Sequence, residues 1–233
     1  LHDEEREIVG TCYKKNGREA AIKLAHSLIK GPIKKQRIKA WCEFATANPK
    51  THIYCWRGGM RSNYAREWIL ASGINIPLID GGFKALRHVI IDQITDAANH
   101  VPFVRIGGKT GTAKTKILQK IKEKNGQVLD LENLANHKGS LLGKNFNEEQ
   151  PTQKYFESLI LSNLRSFNLR QTVFVEAESS KIGNVHIPDA LWKNMLKSKK
   201  VHIEAPIKNR IKFLLNDYNH MCLDEKLFEP LMI

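Results

Sequence analysis

The sequence has no run of about 18 apolar residues, the length a helix needs to cross a bilayer, because Lys, Arg or Asn interrupts its longest apolar clusters. A membrane-spanning helix is thereby excluded, and a soluble, cytoplasmic protein is expected. Cysteine is scarce and poorly spaced for metal: Cys12, Cys42, Cys55 and Cys222 form neither a Cys-x-x-Cys pair nor a zinc ladder, and no two histidines stand at His-x-x-x-His spacing. That excludes a zinc ribbon and a disulfide-stapled secreted fold, and fits a reducing compartment. Low-complexity linkers and internal repeats are also missing. Acidic residues run short: 24 Asp+Glu against 37 Lys+Arg leave a formal net charge of +13. Basic residues beyond those paired with carboxylates must face water or a polyanion, which makes nucleic acid, a nucleotide phosphate or an anionic membrane surface the expected partner classes. The excess is dispersed, with small clusters at Lys34-Lys35-Gln36-Arg37 and Lys197-Ser198-Lys199-Lys200. The first residues, Leu1 to Arg6, have no apolar signal core and no Met, and read as the start of a fragment.

What is present points to more than one domain. The 233 residues, at roughly 150 per domain, leave room for one full core and a smaller one. Apolar positions at three- and four-residue steps predict helices over 17–29, 33–47, 61–71 and 83–98, the second stopped by Asn48-Pro49. β-Branched and aromatic runs predict strands over 51–56 and 76–79. The pattern then begins again, with strands at 101–106, 127–131, 172–176 and 200–203 and helices at 113–124, 150–167, 187–196 and 207–218. Alternation of this kind is the signature of parallel α/β units, so two are expected, residues 1–98 and 99–233.

Two constellations carry chemistry. Cys55 closes the run Thr51-His52-Ile53-Tyr54-Cys55-Trp56 and opens Arg57-Gly58-Gly59-Met60-Arg61-Ser62. A thiol between a strand end and a helix start gains from loop N–H groups, from the helix dipole and from the guanidiniums of Arg57 and Arg61, all of which favour thiolate. Gly58-Gly59 lets backbone curl around an anion that side chains would exclude. Such a cysteine is a nucleophile able to accept sulfur or selenium. The run resembles the active-site loop of rhodanese-type sulfurtransferases, and Asp80-Gly81-Gly82-Phe83 resembles the turn that follows it there. The Asp-x-Arg and Gly-His-Ile-Pro-Gly-Ala segments usual in that family do not occur before Cys55, which again predicts a missing N-terminal portion.

The second constellation is Gly108-Lys109-Thr110-Gly111-Thr112-Ala113-Lys114-Thr115, after a strand and before a helix. It matches a Walker A phosphate loop except that Ala113 replaces the last glycine. Gly108, Gly111, Thr112, Ala113, Lys114 and Thr115 are the expected phosphate-binding residues: backbone N–H groups cradle oxygens, Lys114 neutralises them and the Thr115 hydroxyl holds Mg²⁺. Ala113 is expected to have helical dihedrals. Glu176 and Glu178, ending the strand at 172–176, are candidate acidic or Mg²⁺ residues, with Asp130 and Glu132 as rivals.

The landmarks taken together, including Leu129-Asp130-Leu131-Glu132, Ala135 to Ser140 and Phe174 to Gly183, look like the bacterial tRNA 2-selenouridine synthases. That resemblance implies a rhodanese-like parallel α/β domain followed by a P-loop NTPase-like α/β domain, truncated at both ends. It implies a transferase that converts 2-thiouridine to 2-selenouridine at the tRNA wobble position, through S-geranyl-2-thiouridine, with geranyl diphosphate and selenophosphate as co-substrates. Cys55 would carry selenium, and the phosphate loop with Mg²⁺ would hold the diphosphate. Trp192, Arg210 and Lys212 fall on late helices that could meet tRNA, Trp192 being the better core residue. The competing classes are a P-loop kinase or ATPase fused to a sulfurtransferase domain that acts on a small molecule, and a non-catalytic RNA-binding module with an inert Cys55.

Overall fold

The computed structural model describes residues 1–137, 149–177 and 179–217. Of the positions singled out above, Glu178, Lys138-Gly139-Ser140, Tyr218 and Cys222 lie outside the described residues. The chain forms two compact units, one ending at Leu86 and one starting at Arg87.

In the first unit, Asp3, Glu4 and Glu5 place three carboxylates in the first turn of helix α1 (Asp3–Leu28), where the helix dipole favours them. Glu5 accepts from the His2 N–H at 2.8 Å and from both Nη atoms of Arg37 at 2.7 and 2.9 Å, and Arg37 holds its carboxyl at about 2. That bidentate pair joins α1 to α2 (Gly31–Ala47). The helix expected over 17–29 is the second half of α1, after a break at Gly17 (φ 81°, ψ −178°); the first half was not anticipated. α3 (Met60–Leu70) follows the Cys55 loop. The strands expected over 51–56 and 76–79 shrink to a single parallel bridge, Ile53 with Leu78. The Ile53 N–H donates to Pro77 O and the Ile79 N–H to Ile53 O, each at 2.9 Å. Two extended segments with no third described strand beside them build no ladder, and Pro77 has no N–H to extend it. Ala45, Ile69 and Ile76 form the small core, with Trp41, Cys42, Ile53 and Ile74 packed around it.

The unit boundary falls inside α4 (Gly82–His100), twelve residues before the position read from the sequence. Its physical basis is that the later turns of α4 belong to the second core: Ile94 and Ala98 are buried there. Arg87 donates Nε and Nη2 to the buried Glu157 carboxylate at 2.7 and 2.8 Å.

The second unit holds β1 (Phe103–Gly108), α5 (Lys114–Glu123), β2 (Gln127–Leu129), α6 (Leu131–Leu134), α7 (Gln153–Ser166) and β3 (Val173–Glu176). A hairpin of β4 (Lys181–Ile182) and β5 (Val185–His186), then α8 (Asp189–Lys197), β6 (Lys199–Ile203) and α9 (Ile207–Asp217) complete it. Four strands form a parallel sheet in the order β2-β3-β1-β6. Alternation along the strands feeds two apolar layers. Phe103, Leu129, Val173 and Val175 meet Ile94, Phe156, Ile160, Leu164, Leu191 and Met195 on one face. Ile106, Val128 and Phe174 meet Leu118 and Ile121 of α5 on the other. Trp192 packs against the larger layer, in keeping with its assignment to the core. From β1 the chain crosses toward β2, whereas from β3 it crosses the opposite way to β6. The C-terminal ends of β1 and β3 therefore flank the crevice where sheets of this kind bind ligands.

Candidate functional site

The first candidate site is built around Cys55. Its Sγ accepts from the Gly59 N–H at 3.1 Å and from the Ser62 hydroxyl at 3.3 Å, at the N-terminal end of α3, whose N-cap is Gly59. Ser62 is buried, with 2% exposure, which holds its hydroxyl beside the sulfur, and its one proton is shared between Sγ and Gly59 O at 2.9 Å. Burial by itself pushes the thiol up. The Ser62 hydroxyl and the backbone groups of Ser62, Arg57 and Gly59 outweigh it and bring the Cys55 thiol down to about 7. Of the contributions expected from sequence, loop N–H groups, the helix dipole and two guanidiniums, the loop backbone is among the causes here, and Arg57 contributes through its backbone. Arg61 lines the pocket that holds Cys55, together with Arg6, Tyr54, Trp56 and Phe83.

The Asp80-Gly81-Gly82-Phe83 turn braces this loop from behind. The N–H groups of Phe83 and Lys84 donate to the carbonyls of Cys55 and Trp56 at 2.9 and 3.0 Å, and the Phe83 ring stacks on Trp56 with centroids 5.5 Å apart. Approach is so close that a Cβ on Gly82 (φ +61°) would lie 2.1 Å from Cys55 O, and one on Gly58 (φ +64°) 2.8 Å from the nitrogens of Gly81 and Gly82. Gly59, by contrast, has open space around it and an extended conformation, so of the expected pair only Gly58 is required by geometry.

The second candidate site is the loop between β1 and α5. Lys114 folds back, its Nζ donating to Gly108 O at 3.0 Å. The Thr112 hydroxyl and N–H both donate to Lys109 O, at 2.8 and 3.2 Å, so that N–H is already engaged in a turn. The first turn of α5, with Lys114 and the exposed Thr115, leaves N–H groups without intrahelical acceptors and the positive dipole end at the loop. Ala113 departs from expectation. It takes the left-handed conformation, φ 60° and ψ 30°, not the right-handed helical one. The loop thus keeps the backbone that glycine serves in a Walker A sequence and carries a Cβ there at a cost of about 1–2 kcal/mol. Part of that is recovered through the stiffer unfolded chain. Ala113→Gly is therefore expected to raise stability by about 0.5–1 kcal/mol, seen as a melting temperature higher by about 1–4 °C.

Parallel register sets Ile106 of β1 beside Glu176 of β3, and so brings the acidic candidates to the same end of the sheet. Glu176 is fully buried. Its Oε2 accepts from the Leu131 N–H at 3.3 Å and its Oε1 has no protein partner. Burial first, then the charges of Asp130 and Glu132, push its carboxyl up to about 9. The rivals named from sequence thus stand near enough for the charges of Asp130 and Glu132 to act on Glu176. Asp130 meanwhile caps α6, accepting from the Asn133 N–H at 3.0 Å.

Sequence reasoning missed two contributors. Ser62 stood inside the recognised run but was given no role. Arg210, considered for tRNA, donates Nε to Thr110 O of the phosphate loop at 2.9 Å, and a Cβ on Gly111 would lie 2.7 Å from Arg210 O. A contact across a hundred residues leaves no local signal.

Set against known proteins, residues 101–228 match the family model described as the tRNA 2-selenouridine synthase AAA domain, which is more than half of the chain. The chain belongs to the tRNA 2-selenouridine synthase family. A relative from Shewanella piezotolerans named tRNA 2-selenouridine synthase is 42% identical over 222 residues, covering 94% of this chain and 60% of the relative. One of the same name from Shewanella halifaxensis is 41% identical over 222 residues with the same shares. Another, from Pseudomonas savastanoi pv. phaseolicola, is 40% identical over 221 residues, covering 94% and 59%. The chain spans about 60% of the length of these curated relatives. No solved structure matches it. Membership in this family agrees with the parallel α/β architecture of the second unit, and among the described residues no helix is long and apolar enough to cross a membrane.

Proposed function

We propose that this protein converts 2-thiouridine to 2-selenouridine at the wobble position of tRNA, through S-geranyl-2-thiouridine, using geranyl diphosphate and selenophosphate. The observation that carries the reading is the Cys55 sulfur, held by the Gly59 N–H and the Ser62 hydroxyl and titrating at about 7. At neutral pH about half of such a thiol is thiolate, a soft nucleophile suited to bonding to C2 of the S-geranylated nucleoside as geranylthiolate leaves; the selenium of selenophosphate then displaces the Cys55 sulfur from C2, and hydrolysis of the Se–P bond releases phosphate and leaves 2-selenouridine. The first unit then acts as a rhodanese-like domain, with Arg57 and Arg61 supplying positive charge around the thiol loop. The net charge of +13 supports a polyanionic substrate, and each phosphate contact adds a salt-dependent increment to affinity.

The phosphate loop fits the other half of the chemistry. Lys114 would leave Gly108 O for the diphosphate of geranyl diphosphate, and the N–H groups opening α5 would bind its oxygens as the thiouridine sulfur bonds to C1 of the geranyl group and pyrophosphate leaves that carbon. Among the described residues no three acidic, His or Cys side chains form a metal cluster. Mg²⁺, however, needs only one or two protein oxygens beside phosphate and water. The partnerless Glu176 Oε1 and the mutual repulsion of Glu176 with Asp130 and Glu132 fit that donor set. Thr115, Glu176 and Asp130 are the residues that would hold the ion, which when bound neutralises charge on the leaving diphosphate. Because Glu176 binds its proton tightly, metal loading would release it.

The same loop would also accept ATP, which keeps a P-loop kinase or ATPase fused to a sulfurtransferase unit as the alternative. Nucleoside analysis separates the two. Full-length protein incubated with 2-thiouridine tRNA, geranyl diphosphate and selenophosphate is expected to yield S-geranyl-2-thiouridine and then 2-selenouridine without ATP. Product formed only with ATP, or none at all, would favour the kinase.

A further inference from the structure

The segment from β6 to α9 is fitted onto the phosphate loop at both of its inner glycines. Gly108 pairs with Ile203 in the sheet, and a Cβ on it would lie 2.6 Å from Ile203 O and 2.7 Å from the Thr112 hydroxyl oxygen. Gly111 has φ +82°, and a Cβ there would lie 2.7 Å from Arg210 O and 3.1 Å from both Arg210 Cβ and Leu214 Cγ. Glycine at these two positions is what lets β6 and α9 come so close. Between them, Arg210 Nε donates to Thr110 O at 2.9 Å. Lys116, in the first turn of α5, stands with Nζ 4.9 Å from the centre of the Phe213 ring, which ties α9 to the helix that the loop opens.

Packing on this scale fixes where the Arg210 guanidinium meets the loop. Its bond to Thr110 O uses one of five N–H donors and leaves four for other acceptors. Among the described residues no carboxylate pairs with Arg210 or with Lys114. Lys114 Nζ is likewise held on a carbonyl of this loop, Gly108 O. A brace needs no charge: a neutral side-chain amide would hold Thr110 O without setting a second cation beside the first, where like charges repel. Two cations on carbonyls two residues apart suit an anion with two charged centres. One phosphate meets Lys114 and the N–H groups opening α5, and a second meets the planar fork of the guanidinium.

We propose that Arg210 makes this loop select a diphosphate group over a single phosphate, by binding the second phosphate while Lys114 and the first turn of α5 bind the first. The proposal rests on the loop being a phosphate site, as given above, and adds a specificity residue brought to it from α9. An alkyl diphosphate and a nucleoside triphosphate both carry the group, so the test separates them.

The full-length protein is titrated calorimetrically with inorganic pyrophosphate and with inorganic phosphate at equal ionic strength. Wild type is expected to prefer pyrophosphate by about tenfold or more. Arg210→Gln keeps an N–H donor for Thr110 O and loses the charge. It should lose the preference, pyrophosphate weakening by about tenfold while phosphate changes by less than about twofold. Arg210→Lys keeps the charge and should keep the preference within about threefold. An arginine that only braces the loop predicts a different pattern: Arg210→Gln would bind both anions as wild type does, or a loosened loop would lose both in equal measure. Either result overturns the proposal, including the case in which Arg210→Gln weakens tRNA alone and Arg210 is a tRNA contact. Geranyl diphosphate and ATP then identify the bearer, as the ligand whose affinity falls with that of pyrophosphate in Arg210→Gln, and geranyl diphosphate is expected. A fall for ATP alone would sink the alkyl-donor reading of the loop and leave the diphosphate preference of Arg210 standing. Wild type that binds neither pyrophosphate nor phosphate would overturn both.

Discussion

Cys55→Ala is expected to accumulate S-geranyl-2-thiouridine in tRNA and to form no 2-selenouridine, a loss of selenium transfer of about 10³-fold or more. The alkylation half needs a phosphate cradle and no thiol, so it should continue. The substitution half needs a nucleophile, and among the described residues only Cys55 combines a fixed hydroxyl donor, a helix N-terminus and a titration point of about 7. Direction with pH follows from that value. Below pH 7 the thiolate fraction falls tenfold per pH unit, and above it the fraction saturates, so alkylation of Cys55 by iodoacetamide should climb through pH 7 and level off. Ser62→Ala removes the strongest favourable contribution, a charge-assisted hydrogen bond of about 1.5 kcal/mol, and should move the midpoint upward by about one pH unit. A midpoint unchanged by Ser62→Ala would show that the hydroxyl does not face the thiolate in solution.

Lys114→Ala carries the second large effect, a loss of the alkylation step of about 10²-fold or more, with weaker binding of geranyl diphosphate. Lys114 Nζ is held by Gly108 O, a contact that a neutral carbonyl yields readily to diphosphate. The variant should leave the reaction of Cys55 with S-geranyl-2-thiouridine tRNA unchanged, because Cys55 and Lys114 belong to different units. Calorimetric titration of wild type and variant with geranyl diphosphate and with ATP decides which ligand the loop serves. If ATP alone responds to the substitution, the loop is a nucleotide site.

Much of this was legible where a signal is local. The apolar periodicity around Leu118 and Ile121 gave α5, and the β-branched runs at Val101–Ile106 and Thr172–Glu176 gave the central strands β1 and β3 within two residues. The Cys55 loop and the Asp80-Gly81-Gly82 turn were both readable as motifs, and the structure adds that their backbones interlock. Where a conformation depends on tertiary pairing, sequence carried less. Residues 51–56 have strand composition, yet only Ile53 finds a bridge. The hairpin of β4 and β5 has two residues per strand, too few for a period to register. Ala113 looked compatible with a helix start because alanine favours that region, whereas the loop imposes the left-handed one. Burial of Glu176 could not be separated from that of its rivals, since all end strands or begin helices and only the packing beneath α6 sets them apart.

Whether Cys55 bonds to C2 of the nucleoside is read most directly from the mass of the Cys55 peptide after the full-length protein meets S-geranyl-2-thiouridine tRNA without selenophosphate and is digested with nuclease and protease, compared with Cys55→Ala. An increase by the uridine nucleotide without its geranylthio group, missing from the variant and discharged as 2-selenouridine when selenophosphate is added, is the predicted result. An unmodified Cys55 peptide, with 2-selenouridine formed equally by Cys55→Ala, would contradict it.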